Sequence, residues 1–229
     1  MTPLTVACVF VSSDGPAEFP YTADYVGRLL DMVIRWCDRP FRFVCLTDRP
    51  QGLPPGVEPL AVGKLPGFAP WTKLELFNPA RRWTGRVLYL DLDTLIVAPL
   101  TPLIDAPAPF AITADPPERH KPRLHDAYGR EIVRRFNSSV MVWDGGSQTD
   151  LYLDFVRQPG VVDRLSGDQD WIGLRRPHAH ALPRAWFPRM SELRGQPPAP
   201  PAKVVLVKVP KNQHAARQWP WFRQLWGAA

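Results

Sequence analysis

Apolar residues run in short continuous blocks along this chain, separated by polar turns. Residues 6–11 are one such block, closed by Ser12-Ser13-Asp14-Gly15-Pro16, which predicts a buried strand and a turn. From 25 to 36 the rhythm changes. Tyr25, Val26, Leu29, Leu30, Val33 and Ile34 recur at helical spacing and predict an amphipathic helix. Residues 41–46 (FRFVCL) form a second strand, closed by Thr47-Asp48-Arg49-Pro50. Strand, helix and strand in this order open a parallel α/β sheet.

The same reading continues downstream. An edge strand is expected at 57–62, a short helix at 71–77 and a central strand at 86–90 (RVLYL). Further strands are expected at 110–113 and 135–143, helices at 150–157 and 168–174, and a last strand at 204–209 (VVLVKV). Residues 183–201 are proline-rich and read as irregular. Residues 115–135 read as a mobile loop, and 219–226 as an aromatic helix or docked tail within a basic, aromatic C-terminal segment, 210–229. The expectation is a single domain over residues 1–229, with a central mixed, mostly parallel sheet flanked by helices.

Composition narrows the class. The 229 residues suffice for a core without disulfide or metal staples. Proline is abundant, 28 residues, consistent with many loops and short elements. No apolar run approaches the ~20 residues of a membrane span, and the N-terminal residues lack the basic start of a signal peptide. Cys8 and Cys45 sit inside apolar blocks, which with Cys37 suits reduced thiols in a cytoplasmic protein. The net charge of +6 favours an anionic partner. The basic residues are dispersed, so nucleic acid is not the expected one.

The strongest chemical signal is Leu90-Asp91-Leu92-Asp93-Thr94. A buried strand ending in two carboxylates must end at the sheet edge, because charge in the core is too costly. Alternate residues of an extended segment share a side, so Asp91 and Asp93 can converge. Ligands of open α/β sheets lie at that edge, and two hard carboxylates there suit Mg²⁺ or Mn²⁺ held jointly with a diphosphate. A solvated polar turn is the plain alternative. Asn137-Ser138-Ser139 is a turn or places an amide on a sugar hydroxyl. Gly167-Asp168-Gln169-Asp170-Trp171 reads by itself as a helix start, with Asp168 as cap. Lys208, Pro210, Lys211 and His214 read as a basic turn.

The order of these segments is more specific than any one of them. W-T-K-L-E-L-F, L-Y-L-D-L-D-T, F-N-S-S-V-M-V-W, G-D-Q-D-W-I and V-V-L-V-K-V-P-K follow one another. That series resembles the nucleotide-sugar glycosyltransferases of the GT-A fold, the family 8 type and its small bacterial relatives, over nearly the whole chain. The resemblance implies a Rossmann-like GT-A domain, metal ligation by Asp91 and Asp93, and donor contacts from Lys73 and from Lys208 or Lys211. It implies a nucleoside site near Val11, Ser12 and Asp48. It places Asn137, Asp168 and Gln169 at the transferred sugar.

The activity implied is metal-dependent transfer, with retention, from a UDP-sugar to a glycan, lipid-linked or protein acceptor. The family's histidine after the last strand, a metal ligand, is absent here: Val207 or Lys208 stands in its place. A sugar-nucleotide-binding protein with an impaired site therefore stays open. So does a phosphatase of the haloacid dehalogenase type, although Leu95 stands where that family carries threonine. Trp219, Trp221, Phe222 and Trp226, with Arg217 and Arg223, either dock on the body or touch an anionic membrane surface.

Overall fold

The computed structural model describes residues 3–12, 21–65, 69–115, 124–125, 131–132, 135–208 and 217–226. Its centre is a seven-stranded sheet. In chain order its strands are β1 (Leu4–Phe10), β2 (Arg42–Thr47), β3 (Val57–Ala61), β4 (Arg86–Leu90), β6 (Phe110–Ala114), β9 (Phe136–Asp144) and β10 (His180–Leu182). Their spatial order is β10-β6-β9-β4-β1-β2-β3. Only β9 runs against its neighbours β4 and β6, so the expected mixed, mostly parallel sheet is present. β5 (Thr94–Ile96) and β11 (Val204–Leu206) form a separate antiparallel ribbon, and β7 (Leu124–His125) pairs with β8 (Glu131–Ile132). The pair β7–β8 falls within the expected 115–135 loop, most of which lies outside the described residues.

The sheet is covered on both faces. Helix α1 (Ala23–Trp36) buries Tyr25, Val26, Leu29, Leu30, Met32 and Val33. Ile34 departs from expectation: it is 60% exposed, and Met32 is buried instead. At 100° per residue, position 34 rotates to the flank away from the stripe centred on Val26, Leu29 and Val33. The other face is filled by an aromatic cluster that includes Trp71, Phe77, Trp143, Phe155 and Trp171. Trp71 and Phe155 stack at 5.0 Å.

The segment expected as a helix at 71–77 is a 3-10 helix, Ala69–Phe77. Trp71, Leu74 and Phe77 are buried at a spacing of three, and three residues per turn places them on one line. The helices expected at 150–157 and 168–174 are α3 (Thr149–Val156) and α4 (Asp168–Arg175). A short α2 (Thr101–Ile104) lies between them and β5 in sequence. The stretch expected as irregular, 183–201, contains a 3-10 turn (Arg184–Trp186) and α5 (Met190–Leu193). The strand expected at 204–209 stops at Leu206. The C-terminal α6 (Pro220–Trp226) docks on the body: Phe222 and Trp226 are buried, and Trp226 meets Tyr25 edge-on at 5.9 Å. Arg217 and Arg223 stay exposed. Among the described residues no helix is long and apolar enough to cross a membrane.

Candidate active site

The C-terminal ends of β1, β2, β4 and β6 and the N-terminal end of β9 lie along one edge of the sheet. Strand β4 delivers Asp91 there. The Asp91 N–H donates to the Ser139 carbonyl at 2.9 Å, which stitches the β4 exit to β9. The 3-10 helix brings Lys73 across this edge. Its Nζ lies 2.8 Å from Asp91 Oδ1, donates to Ser138 Oγ at 3.2 Å, and stands 3.8 Å from Asp168 Oδ2 at the start of α4. Tyr89 Oη donates to the same Asp91 oxygen at 2.5 Å. Four segments distant in sequence thus converge on one ammonium group.

The electrostatics follow from burial and pairing. Burial works against charge on Lys73, but Asp168 and Asp91 outweigh it and raise its pKa above the ordinary value. Burial raises Asp168, which is 4% exposed, against the opposing influence of Lys73 and a hydrogen bond from Ser138. Burial and the Asp91 charge likewise raise Tyr89, so it remains a phenol and a donor. Asp168 Oδ2 is buried and accepts no hydrogen bond.

Asp93 lies two residues beyond Asp91, in the turn before β5. Burial and the charges of Asp93 and Asp91 raise the Tyr21 phenol well above its ordinary value. The ladder of β5 with β11 pairs Leu206 with Thr94, and the Val207 N–H donates to the Asp93 carbonyl at 3.1 Å. Val207, fully buried, therefore lies across from Asp93. Of the two positions in the sequence where a third metal ligand could stand, the apolar one is in register with Asp93. Among the described residues no group of three or more His, Cys, Asp or Glu is placed to hold a metal ion.

At the other end of the edge, both Asp48 carboxylate oxygens accept from the Ser12 N–H, at 3.0 and 3.2 Å. Arg49 Nη2 donates to the Val11 and Tyr21 carbonyls, 3.3 Å each, with its guanidinium 4.1 Å above the Phe10 ring. Val11, Ser12 and Asp48 are thus brought together, as expected. Arg49 was not among the expected residues.

Two expected residues differ in detail. Asn137 Oδ1 accepts from the Ser139 N–H at 2.9 Å, and Ser138 is the side chain turned toward Lys73. Alternation along a strand forces that choice. Asp168 does not cap α4: Gly167 is the cap position and Asp168 is the first helical residue. Gln169 is half-buried beside it. Lys208 is exposed, with φ of 60°, past the end of β11. Lys211 and His214 lie outside the described residues.

Three solved structures share this architecture. Galactosyltransferase LgtC, crystallised in complex with donor and acceptor sugar analogues, matches 98% of this chain and 95% of its own. The TM-score is 0.63 and the sequence identity 16%. The chain has the GT-A fold. An active-site mutant of LgtC gives a TM-score of 0.64 over 96% of this chain and 95% of its own, at 15% identity. The bifunctional glycosyltransferase WbbM, in its apo structure, gives 0.62 over 98% of this chain at 15% identity, and the match spans 51% of WbbM. No family model and no curated protein sequence matches the chain. In GT-A terms, Asp91, Asn137 and Asp48 all lie at the C-terminal edge of the parallel strands, where ligands of open α/β sheets bind.

Proposed function

We propose that the protein is a glycosyltransferase that moves a sugar from a nucleotide-sugar donor, a UDP-sugar, to a glycan, lipid-linked or protein acceptor hydroxyl, with retention. One observation carries this reading: Lys73, Asp91, Ser138 and Asp168 converge at the sheet edge, and Asp168 Oδ2 there is buried without a donor. A buried carboxylate oxygen with the Lys73 ammonium 3.8 Å away but no hydrogen bond is costly, and a hydroxyl of the transferred sugar would satisfy it. Gln169 would stand beside that sugar, with Asn137 close by. Asp48 and Ser12, with Val11, would hold the nucleoside. Lys73, and Lys208 or Lys211, would balance the diphosphate charge.

The carboxylates of Asp91 and Asp93 are an all-oxygen donor set suited to Mn²⁺ or Mg²⁺. Two protein carboxylates with no third ligand among the described residues fit a cation that arrives with diphosphate oxygens of its own. Such a cation, when bound, neutralises charge on the departing nucleoside diphosphate. The fold and its likeness to LgtC, solved with donor and acceptor sugar analogues, support the same reading. A cytoplasmic location, with at most peripheral membrane contact through the C-terminal segment, goes with it.

A second reading, sugar-nucleotide binding without turnover, draws on Val207 across from Asp93. One experiment separates the two. A panel of UDP-sugars is incubated in Mn²⁺ buffer with and without mixed sugar acceptors, and UDP release is followed for the wild type and Asp168→Asn. Release by the wild type, reduced about a hundredfold or more in the variant, is the expected result. Binding of UDP without any release would establish the second reading.

A further inference from the structure

We propose that Arg49 is a positioning residue for the nucleoside end of the site: it fixes the Val11–Ser12 peptide so that Asp48 is held ready for the donor, without touching the donor itself. The proposal rests on the reading of Val11, Ser12 and Asp48 as the nucleoside site. The parallel ladder of β1 with β2 ends at the register Phe10–Thr47. Beyond it, side chains join the two segments. The Ser12 N–H donates to both Asp48 carboxylate oxygens, at 3.0 and 3.2 Å, and Arg49 Nη2 donates to the Val11 carbonyl at 3.3 Å. The Val11 carbonyl and the Ser12 N–H are the two poles of one peptide group, and in a trans peptide they point to opposite sides of the chain. Two successive residues after β2 thus grip a single peptide plane from both poles. A flip of that plane would turn the carbonyl onto the Asp48 carboxylate and take the acceptor away from Arg49, so the grip selects one orientation.

Arg49 is itself well anchored. Its guanidinium lies 4.1 Å above the ring of the buried Phe10, and its backbone N–H donates to Thr47 Oγ1 at 3.0 Å. The same Nη2 donates to the Tyr21 carbonyl at 3.3 Å, which ties the approach to α1 to the end of β1. Nε is buried with no hydrogen-bond partner, and among the described residues no acid forms an ion pair with the guanidinium. An arginine that forgoes a carboxylate and leaves a buried N–H unbonded is placed for its hold on those two carbonyls, not for charge pairing. Asp48 is exposed, and each of its oxygens keeps a lone pair for a hydroxyl of the ribose or an N–H of the base. A carboxylate already fixed on Ser12 has little freedom left to lose when a nucleoside arrives. Arg49 therefore lowers the ordering cost of nucleoside binding.

The test separates an action through Asp48 from contact with the donor. Binding of Mn²⁺–UDP is measured by titration calorimetry in the wild type, Arg49→Met, Asp48→Ala and the double variant. Methionine keeps an apolar stem over Phe10, and its introduction orphans no acid. The expected result is binding about tenfold weaker in Arg49→Met, the size of one hydrogen bond to a charged group. In the Asp48→Ala background the same change should weaken binding by less than about twofold, since nothing is left to position. The same cycle with Arg49→Lys, which keeps the charge and a donor for the carbonyls, reads the coupling with the packing least disturbed. Fully additive losses overturn the proposal, because Arg49 then acts on the donor or on the fold as a whole. Wild-type affinity in a folded Arg49→Met or Asp48→Ala protein also overturns it and leaves the proposed function standing. Failure of the wild type to bind Mn²⁺–UDP overturns the nucleotide reading itself.

Discussion

The Lys73 ammonium sits between two carboxylates that would otherwise repel, 2.8 Å from Asp91 Oδ1 and 3.8 Å from Asp168 Oδ2. No neighbouring residue in sequence joins them. Asp91 leaves β4, Asp168 opens α4, and the 3-10 helix carries the cation.

Lys73→Met should therefore damage both stability and binding. Removing one partner from a largely buried ion pair costs about 3 kcal/mol, because the remaining carboxylates lose their counter-charge. Chemical denaturation should show this loss for Lys73→Met. A much smaller loss should appear for Lys73→Met combined with Asp91→Asn, since neutralising the orphaned acid relieves the penalty. UDP binding should disappear in both proteins. Equal stability of Lys73→Met and wild type would show that the pair is not a structural element.

Asp93→Asn is expected to remove the Mn²⁺ dependence of UDP binding while leaving the melting temperature close to wild type. Its carboxylate stands in a turn and not in the core. Val207→His adds an imidazole across from Asp93 and should create Mn²⁺ affinity in the absence of nucleotide. Calorimetry of Mn²⁺ alone reads this directly. No gain for a folded Val207→His protein would place the cation elsewhere.

Asp168→Ala and Gln169→Ala should lower kcat far more than they weaken UDP binding, because both residues lie at α4 and not beside Asp48, where the nucleoside is proposed to bind. A loss concentrated in kcat marks an interaction made in the transition state. If either variant instead loses UDP affinity with kcat unchanged, that residue belongs to the nucleotide pocket.

One pH effect has a defined sign. Burial works to raise the Glu192 pKa, but the Arg189 N–H and the Arg184 guanidinium outweigh it and hold the carboxyl below its ordinary 4.5. A depressed folded-state value means a contribution that is complete above pH 4.5 and lost as pH falls through the lowered value. The side chain is half exposed, so solvent screening keeps the contribution to about 1 kcal/mol or less. The stability difference between wild type and Glu192→Gln should be constant from pH 8 to about 5 and shrink below that. Denaturation at several pH values measures it.

The strand and helix blocks were legible in the sequence because burial imposes a period that the residues must obey. β1, β2 and β4 are apolar on both faces, and α1 carries its stripe. Asp91 at the sheet edge followed from the same constraint, since a charge cannot end a buried strand anywhere else. Ile34 fell outside this logic because it sits on the flank of the stripe, where the body's shape and not the period decides exposure. The 3-10 form of the 69–77 segment was decided by packing of Trp71, Leu74 and Phe77 against the aromatic cluster.

The site divided in the same way. The end of its apolar strand named Asp91, whereas Lys73, Asp48 and the place of Asp168 at the sugar came from the resemblance carried by the order of the segments. It could not select Ser138 over Asn137, since that depends on which side of β9 turns toward Lys73. It gave no reason to single out Arg49, whose contacts with the Val11 and Tyr21 carbonyls join segments far apart in the chain. Val207 across from Asp93 was one of two registers open in the sequence, and the antiparallel pairing of β11 with β5 chose it. Local periodicity is written residue by residue, whereas which side chains meet at a sheet edge is set by register and crossover, and these exist only in the folded chain.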